Sequence, residues 1–303
     1  MLFDPQIALV GLIVGTFVGL SGIGGGSLLI PLLVLVLHVK PSLAIGTDLL
    51  YSVPTKLLAF GLHARRGNVD WAVTRALLGG GIPGSLAGLA TYAILRAHVN
   101  ELALQSTLRH AIGIAILLAC TGAVVSWIVR SRANARLIAM PNATSSTPVP
   151  TIIAIGAIVG FLVSITSIGS GSITLPLLAF AVPAVTLRRL IGSEIAFAAF
   201  LVPIAAFGHA SFGDVDYRLA IGLLVGSLPG VWLGSRLSTV LGDGWLRPIV
   251  VGALAFAGAR LVLSTHRPSH ARKRSSITPF RTMPEKLRSR VRSADPRAWC
   301  CST

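Results

Sequence analysis

The sequence is poor in charged residues, aromatic residues and cysteine. Of its 303 residues, 12% are charged and 6% are Phe, Trp or Tyr, whereas 53% are hydrophobic. Ordinary soluble domains carry about 25% charged residues. This composition therefore excludes an ordinary soluble domain and indicates a membrane protein. The three cysteines, Cys120, Cys300 and Cys301, have no metal-ligand spacing and imply no disulfide framework. Asp4 stands where a signal peptide would carry Lys or Arg, so we expect no cleaved leader.

Acidic residues are also scarce, with 10 Asp and Glu against 26 Lys and Arg, and the net charge is +16. Residues 266–303 carry +8 of that charge and have no sustained apolar period. This composition predicts a disordered tail that faces anionic lipid headgroups, and it argues against nucleic acid as a partner.

Long hydrophobic segments dominate the rest of the chain. Eight of them approach the length of about 20 residues that crosses a bilayer, and they predict an all-α, polytopic membrane protein. They lie at roughly 6–37, 42–63, 72–95, 107–129, 151–182, 190–212, 217–240 and 246–264. We divide the chain into a first transmembrane repeat (1–129), a polar inter-repeat loop (130–150), a second repeat (151–265) and the basic tail (266–303).

The division into repeats rests on a pattern that occurs twice. Six positions of the first copy return 145 residues later: Gly11, Gly15, Gly24, Gly26, Ser27 and Pro31 match Gly156, Gly160, Gly169, Gly171, Ser172 and Pro176. After a one-residue insertion, Gly46-Thr47-Asp48 returns as Gly192-Ser193-Glu194. Four spans per repeat would give both copies the same orientation. If the glycine break makes the first segment enter and return, the count is odd and the repeats are inverted.

The glycines near residue 24 predict a helix break inside the first segment of each repeat. Each glycine costs about 1 kcal/mol relative to alanine in a helix, and Gly24, Gly25 and Gly26 are consecutive. A helix that restarts after such a break presents free backbone amides and a partial positive charge, which suit an anion. The predicted substrate-binding residues are Ser21, Gly24, Gly25, Gly26, Ser27, Gly169, Ser170, Gly171 and Ser172.

Other glycines recur at four-residue intervals, which is typical of close helix packing. We interpret them as packing positions: Gly11, Gly15, Gly19, Gly80, Gly84, Gly88, Gly226, Gly230 and Gly234.

Asp48 and Glu194 are the clearest ionisable candidates, because a carboxylate in a membrane segment is costly unless it has a partner. Asp48, Ser52, Thr55 and Lys56 share one helical face. We predict gating or proton coupling by Asp48, Lys56 and Glu194, with His63 and His209 as further proton carriers. The alternatives are that the two acids cap helices, that Lys56 reaches to an interface, and that the histidines are interfacial.

The pattern from Gly15 through Ser21-Gly22-Ile23-Gly24-Gly25-Gly26 to Pro31, followed by Gly46-Thr47 and His63, resembles the sulfite exporter TauE/SafE family. The resemblance covers roughly residues 6–264. It implies a bacterial inner-membrane, multi-pass transporter that exports sulfite or a related small sulfur-containing anion such as an organosulfonate. The second copy has fewer glycines, and the basic tail is not an expected part of the family.

We therefore expect a small anionic solute and the lipid bilayer as partners, no cofactor, no metal and no enzymatic activity. Homo-oligomerisation is compatible with the sequence. The alternative is a non-transporting membrane subunit or assembly factor.

Overall fold

A computed structural model describes residues 5–21, 25–136, 149–182, 185–240 and 243–263, all within one compact unit. These residues form ten α-helices and no strand, which confirms the all-α prediction. The helices are α1 (Pro5–Ser21), α2 (Gly25–Leu35), α3 (Pro41–Arg65), α4 (Trp71–His98), α5 (Glu101–Arg136), α6 (Val149–Thr166), α7 (Thr174–Ala181), α8 (Leu187–Ser211), α9 (Tyr217–Val240) and α10 (Asp243–Leu263).

Glycine breaks and aspartate caps determine where several of the helices begin and end. Each repeat contributes five, because its first hydrophobic segment is divided in two: α1 ends before the glycine run and α2 begins at Gly25. In the second repeat α6 and α7 are separated by residues 167–173. The Asp70 carboxylate accepts from the amides of Ala72 and Val73 and caps α4, as Asp216 caps α9. The predicted loop 130–150 is partly helical, since α5 continues to Arg136.

The glycines at four-residue intervals pack helices of one repeat against helices of the other. Gly80, Gly84 and Gly88 of α4 face the backbone of α6, and a Cβ at any of them would collide with it. Gly11 and Gly15 of α1 face the backbone of α9 in the same way. The packing role predicted for these glycines is confirmed. Gly234 is buried, and the surroundings of Gly19 lie outside what the structure describes.

The contacts between α3 and α8 determine the relative orientation of the repeats. Gly46, near the start of α3, lies against the carbonyl of Asp214, just beyond the end of α8. Gly192, near the start of α8, lies against the carbonyl of Asn68, just beyond the end of α3. These equivalent helices are therefore antiparallel. The repeats are inverted, and the expectation of a common orientation is wrong.

The glycine break reverses the direction of the chain within the first hydrophobic segment. Helix α1 runs parallel to α9, because Gly11 lies at Leu223 and Gly15 at Ser227. Helix α3 also runs parallel to α9, since Thr47 contacts Asp216 at the start of α9, and Tyr51, one turn later, lies beside Ser227. Helix α2, between them, must run back. The first segment therefore enters and returns, and the predicted eight crossings are not confirmed.

Five of the described helical segments are long and apolar enough to cross a membrane: Trp71–His98, Glu101–Gly122, Val149–Thr166, Arg188–Ser211 and Tyr217–Gly234. Helices α1, α2 and α10 contain shorter apolar segments. Helix α3 is as long as α8 but is not among the five, because its polar residues lower its hydropathy. Large apolar side chains on the outer surface, such as Leu58, Phe207 and Phe256, suit a lipid environment.

Candidate functional site

The two helix breaks meet inside the protein. A Cβ built on Gly26, at the start of α2, would lie 2.7 Å from the carbonyl oxygen of Ser167, the first residue after α6. Ser167 has φ of 57° and Gly169 has φ of 127°, so the chain leaves α6 through left-handed backbone that costs a non-glycine residue free energy. The amides that begin α2 have no partner within their own helix, whereas the amides of Thr174 and Leu175 in α7 donate to the carbonyls of Gly169 and Gly171 in the second break. The two breaks therefore bring two helix N-termini to one place.

A small cavity of about 20 Å³ lies at this meeting point. Its walls include six of the predicted binding residues, two at the start of α2 and four in the second break. The wall residues are Gly26, Ser27, Ser52, Lys56, Ser167, Gly169, Ser170, Gly171, Ser172 and Val202. This space holds about one water molecule, so an anion of several atoms enters only if the walls move apart.

The other predicted binding residues lie at the edge of what the structure describes. Gly24 is outside the described residues. Ser21 ends α1 and Gly25 begins α2, but the structure describes neither side chain.

Asp48 lies two turns inside α3 and is fully buried. Its Oδ2 accepts a hydrogen bond of 2.6 Å from the Ser167 hydroxyl, and a Cβ on Gly26 would lie 2.7 Å from the same oxygen. The other oxygen, Oδ1, is buried with no hydrogen-bond partner among the described residues. Helix α3 begins at Pro41, so Asp48 is not a cap, and that alternative is wrong.

Lys56 and Glu194 form an ion pair between the repeats. The Nζ of Lys56 on α3 lies 3.3 Å from Oε1 of Glu194 on α8, and the two side chains are 17% and 7% exposed. Glu194 lies in the second turn of α8, which begins at Leu187, so it is not a cap either. Lys56 does not reach to an interface, because its ammonium group faces the cavity and Glu194.

Of the four polar residues that share one face of α3, only some lie at the site. Ser52 and Lys56 line the cavity and Asp48 lies beside it. Thr55 instead donates to the carbonyl of Ser52 on its own helix, at 2.8 Å.

His63 and His209 lie in the last turns of α3 and α8 and do not line the cavity. His209 is fully buried, with Nε2 2.8 Å from the carbonyl oxygen of Ser164 and its ring 4.6 Å from that of Tyr92. It is therefore not interfacial, whereas His63 is partly exposed. Among the described residues no group of three His, Cys, Asp or Glu side chains could hold a metal ion.

Sequence reasoning missed two polar features. Ser167 is equivalent to Gly22 of the first repeat. The difference between a glycine and a polar residue at this position was the signal that could have identified Ser167. Asp214 accepts hydrogen bonds from the Tyr92 hydroxyl and the Arg96 guanidinium in a largely buried network after α8. The equivalent residue in the first repeat is Asn68, so the change from amide to carboxylate marked this network as well.

The Gly-Thr and Gly-Ser pairs join the two repeats at both ends of the α3 and α8 pair. The Thr47 hydroxyl accepts a hydrogen bond of 3.1 Å from the amide of Asp216. The Ser193 hydroxyl accepts one of 2.8 Å from the amide of Asp70. Gly46 and Gly192 allow the close backbone contact that brings these groups together. The Gly-Thr and Gly-Ser pairs thus have a structural role, and the carboxylates that follow them in the chain, Asp48 and Glu194, are buried in the interior.

Two inverted repeats whose broken helices meet at a buried polar site define a membrane transporter. The chain belongs to the sulfite exporter TauE/SafE family, whose family model matches residues 7–261. The chain is similar to a probable membrane transporter protein, YjnA, of Bacillus subtilis (strain 168), with 36% identity over 267 residues, 85% of this chain and 99% of that protein.

Two further relatives are also described as probable membrane transporter proteins. One, from Xylella fastidiosa (strain Temecula1 / ATCC 700964), is 33% identical over 237 residues, 76% of this chain and 82% of that protein. The other, YunE of Bacillus subtilis (strain 168), is 28% identical over 256 residues, 78% of this chain and 87% of that protein. No solved structure matches the chain significantly.

Proposed function

We propose that this transporter exports a small sulfur-containing anion, such as sulfite or an organosulfonate, across the cell inner membrane. The observation that carries the proposal is the meeting of the two breaks at a cavity that Lys56 and serine hydroxyls line. The family description adds the sulfur-containing class.

The chemistry of the cavity suits an oxyanion. Helix N-termini favour negative charge, and α2 begins at the cavity, opposite the second break. The hydroxyls of Ser27, Ser170 and Ser172 are donors that an oxyanion accepts from, and Lys56 supplies a positive charge. We assign substrate binding to these groups and to the glycines of the two breaks.

The carboxylates Asp48 and Glu194, together with Lys56, gate this site or couple it to protons. Each acid is buried on an α3 or α8 helix at the cavity, where a change of partner alters how the repeats pack. His63 and His209 would act farther along the path, at the ends of the same helices.

Export of one negative charge from a cell with a negative interior gains about 2.3 kcal/mol per 100 mV, so a uniporter is energetically allowed.

The test is counterflow in proteoliposomes that contain the purified protein. Vesicles loaded with unlabelled sulfite, sulfate, thiosulfate or an organosulfonate should accumulate the labelled form of the transported anion. Protein-free vesicles are the control. Accumulation of sulfite or an organosulfonate above sulfate supports the proposal. No accumulation of any of the four overturns it, and binding of a protein partner by that preparation would favour a non-transporting subunit.

A further inference from the structure

The ion pair beside the cavity breaks the symmetry of the repeats. Lys56 in the first repeat corresponds to Val202 in the second, and both residues line the cavity. Ser52 likewise corresponds to Ala198. The cavity lies between the two equivalent helices α3 and α8, so a single cation serves the shared space. This arrangement suits one anion for each protein molecule and does not form two equivalent sites.

In the structure, the protein's own carboxylates occupy both places that favour an anion. Asp48 lies against Gly26, at the N-terminal turn of α2, and is held there by Ser167. Glu194 holds the ammonium group of Lys56 at 3.3 Å. The remaining space is about 20 Å³, which is too small for an oxyanion that contains sulfur. The side chains of Asp48 and Glu194 therefore lie where the substrate would bind.

We propose that Glu194 is a tethered competitor of the substrate: its carboxylate holds Lys56 when the site is empty, and one substrate oxyanion displaces it. This inference rests on the proposed function and assigns Lys56 as the counter-ion of the transported anion. A lysine ammonium group carries three donors and no fixed plane, so it accepts a carboxylate or a sulfur oxyanion in turn.

The exchange links binding to the opening of the site. Removing one partner from a buried ion pair leaves an uncompensated charge, which is strongly unfavourable. The incoming anion replaces that partner, so Lys56 remains paired throughout. The cavity must widen to admit the anion, and the water that enters solvates the displaced carboxylate of Glu194. Since Glu194 lies on α8 and Lys56 on α3, breaking their contact releases one connection between the repeats.

The experiment measures the half-saturating concentration of sulfite in counterflow for the wild-type protein and four variants. Glu194→Gln removes the competitor and should lower this concentration about ten-fold. Lys56→Gln removes the counter-ion and should raise it at least ten-fold. Lys56→Arg keeps the charge and should remain within a few-fold of the wild type. Glu194→Asp keeps the charge on a shorter side chain that reaches Lys56 less well, so it should lower the concentration by a smaller factor.

A second measurement distinguishes competition from a purely structural ion pair. Sulfite should raise the unfolding temperature of detergent-solubilised Glu194→Gln at lower concentrations than it does for the wild type. If the pair is only structural, both glutamine variants lose stability and neither gains affinity for sulfite. An unchanged or higher half-saturating concentration in Glu194→Gln overturns the inference while leaving the proposed function intact. If Glu194→Gln does not fold, an unchanged value in Glu194→Asp overturns it equally.

The outcomes also separate this inference from the function on which it rests. Absence of wild-type counterflow with all four anions would overturn the proposed function. Wild-type counterflow of sulfite that survives unchanged in Lys56→Gln would overturn this inference and leave the proposed function intact.

Discussion

The contact between the two helix breaks gives a sharp test through Gly26→Ala. The added methyl group would lie 2.7 Å from the carbonyl oxygen of Ser167 and 2.7 Å from Oδ2 of Asp48, about 0.7 Å short of ordinary contact. The backbone carbonyl cannot move without displacing the second break. Overpacking of this kind costs about 1–3 kcal/mol. Alanine is a better helix former than glycine by about 1 kcal/mol in a helix interior, but Gly26 lies in the first turn, so little of that gain offsets the clash.

We expect Gly26→Ala to lower the unfolding temperature in detergent by about 2–12 °C, using the value of about 2–4 °C per kcal/mol that holds for domains of 150–250 residues. Transport should fall at least ten-fold, because the methyl group pushes Asp48 away from Ser167 at the cavity wall. The matched control is Gly61→Ala on α3, where a Cβ would meet no atom within 4 Å. Its flux should equal that of the wild type, and its stability should be the same or up to about 1 kcal/mol higher. If Gly26→Ala also behaves like the wild type in both measurements, the two breaks do not meet as described.

Three further predictions concern packing, coupling and topology. Gly84→Leu should abolish recovery of folded protein, because its side chain would collide with the backbone of α6, whereas Gly79→Leu on the same helix faces open space and should be tolerated; equal yields would contradict the packing. Asp48→Asn should leave anion exchange possible but remove its dependence on a pH gradient, and unchanged dependence would exclude coupling through this carboxylate. In a variant without native cysteines, Arg66→Cys and Ser211→Cys, both exposed at the ends of α3 and α8, should react with an impermeant maleimide from opposite sides of the membrane. Labelling from one side would rule out inverted repeats.

The helix-packing positions and the helix breaks could be predicted from the sequence, because both depend on residues that are close together in the chain. The recurrence of glycine at four-residue intervals is a packing signal that needs no knowledge of the partner, and the partner proved to be a helix of the opposite repeat. The run at Gly24, Gly25 and Gly26 indicates a break whatever surrounds it. Six cavity residues followed from that break and its copy.

The orientation of the repeats could not be predicted, since it depends on whether the broken segment crosses or returns. Hydropathy is the same in both cases, because it measures composition and not direction. Only a contact between distant positions, such as Gly46 with the carbonyl of Asp214, distinguishes them. The capping alternative for Asp48 was wrong because Pro41 begins α3, which places Asp48 two turns inside the helix.

The partners of the ionisable residues lie on the other repeat, at separations of 119 residues for Asp48 with Ser167 and 138 for Lys56 with Glu194. Helical periodicity relates residues three or four positions apart, so it cannot predict pairs at these separations. The repeat comparison nevertheless contains the information in another form, because positions that hold the frame together keep their chemistry, as Thr47 and Ser193 do. At the shared cavity the positions on α3 and α8 lose it, as Lys56 and Val202 do, whereas those of the breaks keep it, as Ser27 and Ser172 do. In an inverted repeat, equivalent residues on α3 and α8 reach the same space from opposite directions, so one lysine there suffices and a second would add an unpaired buried charge. Identities between the copies therefore mark the breaks that build the site, and differences on α3 and α8 mark the single charge that it contains.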